Sequence, residues 1–418
     1  MKRLRIYLKK LIANPLFSGS FVMVFGTNIA NFLAYLYHLI IGRILGPVSY
    51  GELATIISTL GLISTVFSFL GIVVVKFVSA SKKDQIGPLY NWFLKNGLLF
   101  GVILFFLQLI ITPILSGFLK IEIKTVVLLA PILFLTLLSF IIRSFLQGLL
   151  RFGRVVLISN IDLGGRLVFG IIFISLGLSS LGGVLGILIA SFFSLFLGFV
   201  FLRDIRSKTR KIYYENSKKI FKYTLPVLLI SFANNSFVST DVVLAKHYLT
   251  PVDAGIYASL STLGKIIFYA TSPIVAVMFP IISKRYNQKK NYLPFFSVSA
   301  SMIVLLGLAV LGIYYFFPRL MINILFGEKF LVGSDLLIYF GLFAFVFSLS
   351  NMFSSFYLSI GKTIIWFFVS FFAIFQILGI LLYHSTIKEI IYVSLISVSL
   401  LLFFLILYFG YGKRKNQS

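Results

Sequence analysis

The chain has no cysteine, which excludes a disulfide framework and any thiolate metal site. Its three histidines, His38, His247 and His384, are scattered, so metal chemistry lacks a ligand set and no cofactor is expected. Charge is also scarce. Asp, Glu, Lys and Arg make up 11% of the 418 residues, against about a quarter in an ordinary soluble domain. Apolar residues fill the gap, at 59% of the chain. Residues 98–111, 126–142 and 393–409 carry no charge and no polar face of the kind a water-exposed helix needs. They read as membrane spans.

Windows of about 20 apolar residues fall at 17–41, 51–75, 90–118, 124–142, 155–177, 182–202, 223–247, 256–282, 293–317, 334–360, 363–383 and 388–411. The expected fold is therefore an all-α integral membrane protein of twelve helices. The connections are too short to fold as domains, so any chemistry belongs within or between the helices. The run that starts at Phe17 is longer than a signal-peptide core and lacks a small-residue cleavage site, so it is read as the first permanent span.

A formal charge of +26 invites a nucleic-acid reading, but the placement of the charge argues against it. With the N-terminus inside, 27 of the 37 Lys and Arg residues fall in cytoplasmic segments. These include Lys2 to Lys10, Arg143 to Arg154, Arg203 to Lys222 and Lys413 to Lys415. Seven lie outside, and Lys95, Arg166 and Lys265 lie within spans. This bias predicts that both termini are cytoplasmic.

The one long hydrophilic connection, residues 203–222, lies near the midpoint and divides the chain into a first bundle (1–202), a basic linker and a second bundle (223–418). Tyr213, Tyr214, Ile220 and Phe221 interleave its bases, which fits either a solvated linker or a segment lying along an anionic leaflet. The halves repeat. Leu45-x-Pro47-Val48-x-x-Gly51-x-x-Ala54 recurs as Leu249-x-Pro251-Val252-x-x-Gly255-x-x-Ala258 at an offset of 204, which also places Asn31 on Asn235. Six helices separate the copies, so the two bundles share one orientation and are related by an axis along the membrane normal.

RILGPVSYGELAT after the first span and STDVVLAKHYLTPVDAGIYASLSTLGK across the seventh and eighth resemble the Wzx-type polysaccharide flippases of the multidrug/oligosaccharidyl-lipid/polysaccharide exporter superfamily. FPIISKRYNQKK and LFGEKFLVGSDLL look like that family too. Val242 stands after Asp241 where the family often has a basic or polar residue. The resemblance implies a MATE-like pair of six-helix bundles in a bacterial plasma membrane. It also implies transport, from the inner to the outer leaflet, of an oligosaccharide linked to undecaprenyl diphosphate. The partners it implies are that lipid-linked substrate, membrane lipids, a coupling proton or sodium ion, and a polysaccharide polymerase and glycosyltransferases as neighbours. A small-molecule exporter of the same fold is the alternative. A membrane polymerase or ligase fits less well, because the longest outer connection, about 318–333, is too short for a catalytic loop.

Polar residues inside spans are costly unless they face water or a partner. Asn28, Asn31, Tyr35 and His38 share one face of the first span, and Ser231, Asn234, Asn235 and Asp241 share one face of the seventh. Two readings stand for these stripes: hydrogen bonds between helices, or the wall of a hydrated cleft that touches substrate. Asp241 is the only carboxylate in its stripe and is a candidate ion-coupling site; its alternative is an ion pair with Lys246 or Lys265. Asp162 and Arg166, at i and i+4, suit an intrahelical salt bridge. Arg166 is also placed to hold a diphosphate through its guanidinium fork, with Lys265 the next candidate cation and Asp162 the next coupling acid. Lys95 lies close enough to the interface to snorkel. Pro273 and Pro280 lie nearly on one face of the eighth span, as a flexing gate or as static kinks.

Overall fold

In a computed structural model, which describes residues 15–205 and 217–415, the chain is helical almost throughout and has no strand among those residues. Lipid offers the backbone no hydrogen-bond partners, so each span must satisfy its own amides, which a helix does. Residues 1–14, 206–216 and 416–418, holding the basic N-terminal segment and most of the linker, lie outside the described residues.

The elements are α1 (Pro15–Ala80), α2 (Lys83–Leu119), the short α3 (Ile123–Val126), α4 (Leu129–Gly148), α5 (Phe152–Phe173), α6 (Ser179–Phe201), α7 (Ser217–Tyr248), α8 (Pro251–Asn287), α9 (Leu293–Phe316), α10 (Pro318–Leu325), α11 (Leu337–Ser359), α12 (Ile365–Leu382) and α13 (Ile387–Lys415). Among the described residues, ten stretches are long and apolar enough to cross a bilayer. Two of them, Phe25–Ala80 with 56 residues and Phe152–Phe201 with 50, are long enough to cross twice. Each breaks at a glycine with positive φ, Gly46 (φ 71°) and Gly177 (φ 86°), which are the places where the twelve-span reading divides them.

The two copies of the repeat solve the same turn differently. In the first, Gly46 takes the left-handed conformation and Pro47 starts the next helix. In the second, Thr250 caps α8, its hydroxyl accepting from the Asp253 amide at 3.2 Å, and Pro251 again occupies the first turn.

The chain forms two compact units. The first comprises Met1–Ile44 and Ile63–Phe221. In it α5 and α6 approach through small residues: a Cβ on Gly165 would lie 3.0 Å from the Ala190 Cβ, and one on Gly186 would overlap the Gly170 backbone. Gly182, Gly186 and Ala190 recur every four residues, which makes that ridge continuous along α6. At the end where α4 and α5 join, Val74, Tyr90, Ile142, Phe145, Ile158 and Leu202 form a buried core.

The second unit comprises Leu45–Leu62 and Lys222–Ser418. Chain order assigns residues 45–62 to the first half, but by packing they belong here, and the reason is the repeat. A Cβ on Gly51 would lie 2.9 Å from the Gly255 Cα, and one on Gly255 would overlap the Pro47 carbonyl, so the repeated glycines let two backbones touch. Beside them the buried Tyr50 hydroxyl and Thr262 Oγ1 are 2.9 Å apart. Further along α8, Gly264 lies against the Phe340 backbone, and Tyr314 donates to the Leu263 carbonyl at 2.6 Å. The helix α8 continues through both Pro273 and Pro280.

Candidate functional site

Each unit holds a cluster of polar groups away from water. In the first, the α5–α6 glycine contact brings Asp162 on α5 next to Ser191 on α6. Arg166 Nη2 donates to Asp162 Oδ2 at 2.7 Å, and Ser191 Oγ donates to Oδ1 at 3.4 Å. The pair is largely shielded, with Arg166 and Asp162 side chains 22% and 11% exposed. The buried Arg166 Nε has no hydrogen-bond partner. Arg143 also reaches this cluster. The sequence reading ended the fourth span at 142 and left Arg143 to the cytoplasmic connection, whereas α4 runs on to Gly148 and Arg143 is half-buried within it. Its Nη1 contacts Ser159 Oγ at 3.5 Å, and its guanidinium sits 5.0 Å over the Phe140 ring.

The stripe of the first span divides. Asn28 and Asn31 are exposed, while Tyr35 and His38 are half-buried. On the other side of the same stretch, Tyr37 donates to the Gly183 carbonyl at 3.1 Å, and Asn160 of α5 donates to the Gly26 carbonyl at 3.1 Å, which fixes this stretch against α5 and α6.

In the second unit Asp241, on α7, is 1% exposed. The Tyr257 hydroxyl on α8 donates to Asp241 Oδ2 at 2.8 Å, while Oδ1 is buried without a hydrogen-bond partner. Lys265, two turns beyond Tyr257 on α8, acts on Asp241 through its charge and forms no hydrogen bond to it. Sequence reasoning missed a second buried polar group in this unit. Gln376 on α12 donates to the Phe237 carbonyl at 3.2 Å and to Ser394 Oγ at 2.9 Å, and its Oε1 is buried without a partner. Ser394, on α13, itself donates to the Ile390 carbonyl of its own helix at 2.9 Å. Gln376 is the one amide in an apolar helix, and that cost was a usable signal. Asn235 lies six residues before Asp241 and accepts from Ser239 Oγ at 3.1 Å. Lys95, on α2, is exposed.

Together the clusters offer a buried acid with one unused oxygen in the second unit and, in the first, an arginine paired with an acid and a second arginine beside them. The former suits a small cation, the latter an anion. No group of three or more His, Asp or Glu is gathered among the described residues.

The family described as polysaccharide biosynthesis protein matches residues 16–286, more than half of the chain. The chain belongs to that family. An uncharacterized membrane protein of Methanocaldococcus jannaschii is 25% identical over 270 residues, covering 60% of this chain. That match spans 64% of the relative's length. Among solved structures, an inward-facing multidrug resistance MATE family transporter of the MOP superfamily superposes with a TM-score of 0.76 at 16% identity, covering 91% of this chain and 96% of that one. The lipid II flippase MurJ, in an inward closed conformation, superposes with a TM-score of 0.71 at 14% identity, covering 93% of this chain and 87% of that one. At these identities the likeness establishes a MATE-like fold.

Proposed function

We propose that this chain is a flippase that carries an oligosaccharide linked to undecaprenyl diphosphate from the cytoplasmic to the outer leaflet of a bacterial plasma membrane, driven by an ion gradient. Membership of a polysaccharide biosynthesis family on a transporter fold carries the reading. The shielded Arg166, with a buried donor left unused, supports an anionic cargo. In this scheme both termini are cytoplasmic, the first bundle supplies the cation that meets the diphosphate, and the second supplies the coupling acid. Asn28, Asn31 and His38 on α1, with Asn235 and Lys265, would contact the sugar or headgroup. Asp241 would bind the coupling proton or sodium ion, with Asp162 next in order. The chain is a carrier in this reading, and polymerisation and glycosyl transfer fall to partner enzymes.

The test is flipping in proteoliposomes loaded with a labelled polyprenyl-diphosphate oligosaccharide, read as the fraction of label reached by an impermeant glycosidase. Wild type should expose the inner-leaflet label far faster than protein-free vesicles. Arg166→Ala should lower the rate to background, and Arg166→Lys should restore part of it. Label that moves no faster than in empty vesicles, alongside transport of an organic cation, would establish the small-molecule exporter instead.

A further inference from the structure

The first unit contains more positive charge than its salt bridge uses. Ser159, Asp162 and Arg166 lie at i, i+3 and i+7 on α5 and so share one face. Arg143 approaches that face from α4 through its 3.5 Å contact with Ser159 Oγ, at the outer limit of a hydrogen bond. Its Nε is spent on the Ser139 carbonyl of its own helix at 3.3 Å. The fields of Asp162 and Arg166 both act on it, which places the three charges in one cluster.

No carboxylate pairs with Arg143. Among the described residues the first unit has four acids: Asp84, Glu122, Asp162 and Asp204. Glu122 pairs with Lys124 at 2.6 Å, Asp204 with Arg151 at 2.6 Å, and Asp162 with Arg166 at 2.7 Å. Asp84 is exposed in the first turn of α2. One positive charge therefore remains in a shielded place, beside an Arg166 Nε that is buried and has no partner. A desolvated guanidinium without its counter-charge is costly, and the cost is recovered when an anion arrives.

We propose that Arg143 and Arg166 form a two-arginine anion site whose resident counter-ion is Asp162, and that a diphosphate binds there by displacing Asp162. The inference rests on the flippase reading for the source of the diphosphate, a lipid headgroup, and on the contacts and charges described above for the site. Two forks match two phosphoryl groups, each able to accept a bidentate pair. A single phosphate would engage one fork and leave the other uncompensated. The displaced Asp162 carboxylate then repels the bound anion, so the salt bridge reforms as the headgroup leaves. That exchange makes release as feasible as capture, which a carrier requires.

The test uses the full chain purified in detergent and labelled inorganic pyrophosphate. Arg143→Gln and Arg166→Gln should each weaken binding about tenfold, the value of one charge-assisted hydrogen-bond pair. Arg143→Lys should fall between Arg143→Gln and wild type. Asp162→Asn, which removes the competing anion, should bind about tenfold more tightly. A second measurement requires no charge change. Ser159→Cys would be the only cysteine in the chain, and pyrophosphate should slow its reaction with a methanethiosulfonate several-fold.

Equal affinity for Arg143→Gln and wild type, weaker binding by Asp162→Asn, or an unprotected Ser159→Cys would each overturn the site. Nanodiscs then separate the sources. Polyprenyl diphosphate in the bilayer should displace pyrophosphate while phosphatidylglycerol should not. If free pyrophosphate binds with the expected mutant pattern and the lipid fails to compete, the site stands and the flippase reading falls. If Arg143→Gln flips the lipid-linked oligosaccharide at the wild-type rate, the flippase stands and the two-arginine site falls.

Discussion

Asp241 is buried with one carboxylate oxygen bonded to Tyr257 and the other unused. A cation arriving on that oxygen would remove a charge that otherwise opposes movement through the membrane field. One charge across 100 mV is worth about 2.3 kcal/mol, enough to bias a two-state equilibrium about fiftyfold. Asp241→Asn should therefore keep substrate binding yet flip at a rate that no longer responds to an imposed proton or sodium gradient. A mutant as gradient-dependent as wild type would reduce Asp241 to a structural partner of Tyr257. A smaller effect belongs to Asp204, just beyond α6, whose carboxyl is held below the usual carboxylate range by hydrogen bonds from Arg151. A depressed folded pKa stabilises the fold at pH values above the unfolded pKa of about 3.9, and that contribution is lost as pH falls through the folded value. Asp204 is half-exposed, so the effect is at most about 0.5 kcal/mol. Asp204→Asn should lower the detergent Tm slightly at pH 7, and the difference from wild type should shrink as pH falls below the unfolded pKa. At this scale the sequence disclosed which residues were costly, because Asp162, Arg166, Asp241 and Lys265 stand out in apolar runs. It did not disclose Arg143, which followed an apolar window and looked like the start of a loop, nor that Tyr257 would meet Asp241 from another helix.

Among the elements, the glycines mark where helices stop or touch. Gly46 needs its positive φ, and alanine there should cost about 1–2 kcal/mol. Gly255 needs its missing Cβ, because any side chain would overlap the Pro47 carbonyl. Gly255→Leu should cost about 3 kcal/mol from overpacking, seen as a Tm drop in detergent, whereas Gly312→Ala, with nothing within 4 Å, should leave the Tm within a degree or two. Equal melting for the two variants would show that the backbone contact is not tight. The repeat itself was legible as a spacing of Leu, Pro, Gly and Ala. Its role as the point where both copies press together was not, because a one-dimensional pattern records similarity and not contact.

Across the whole molecule, the described residues hold ten helices long and apolar enough to cross a bilayer, and the twelve-span reading divides two of them at Gly46 and Gly177. The orientation is tested directly because the chain has no cysteine of its own. Single cysteines at Ser179, the first residue of α6, and at Asn287, at the end of α8, should respectively accept and refuse an impermeant maleimide applied to intact cells. The reverse pattern would invert the topology and place the basic segments outside. Span number was readable because hydrocarbon thickness fixes helix length. Membership of the two compact units was less so, since residues 45–62 leave the half in which they are encoded.

That departure affects the order of synthesis. Residues 45–62 emerge early, yet the α8 surface that receives Gly51 and Tyr50 is made roughly 200 residues later, which at 5–20 residues per second is a wait of about 10–40 s. Thr55 and Thr59 bond their own helix at the Gly51 and Thr55 carbonyls, at 2.7 and 2.9 Å, so their hydroxyls need no partner helix. The early helix can thus remain inserted in lipid while its packing surface is still untranslated, and the second unit closes only when the ribosome has passed the middle of the message.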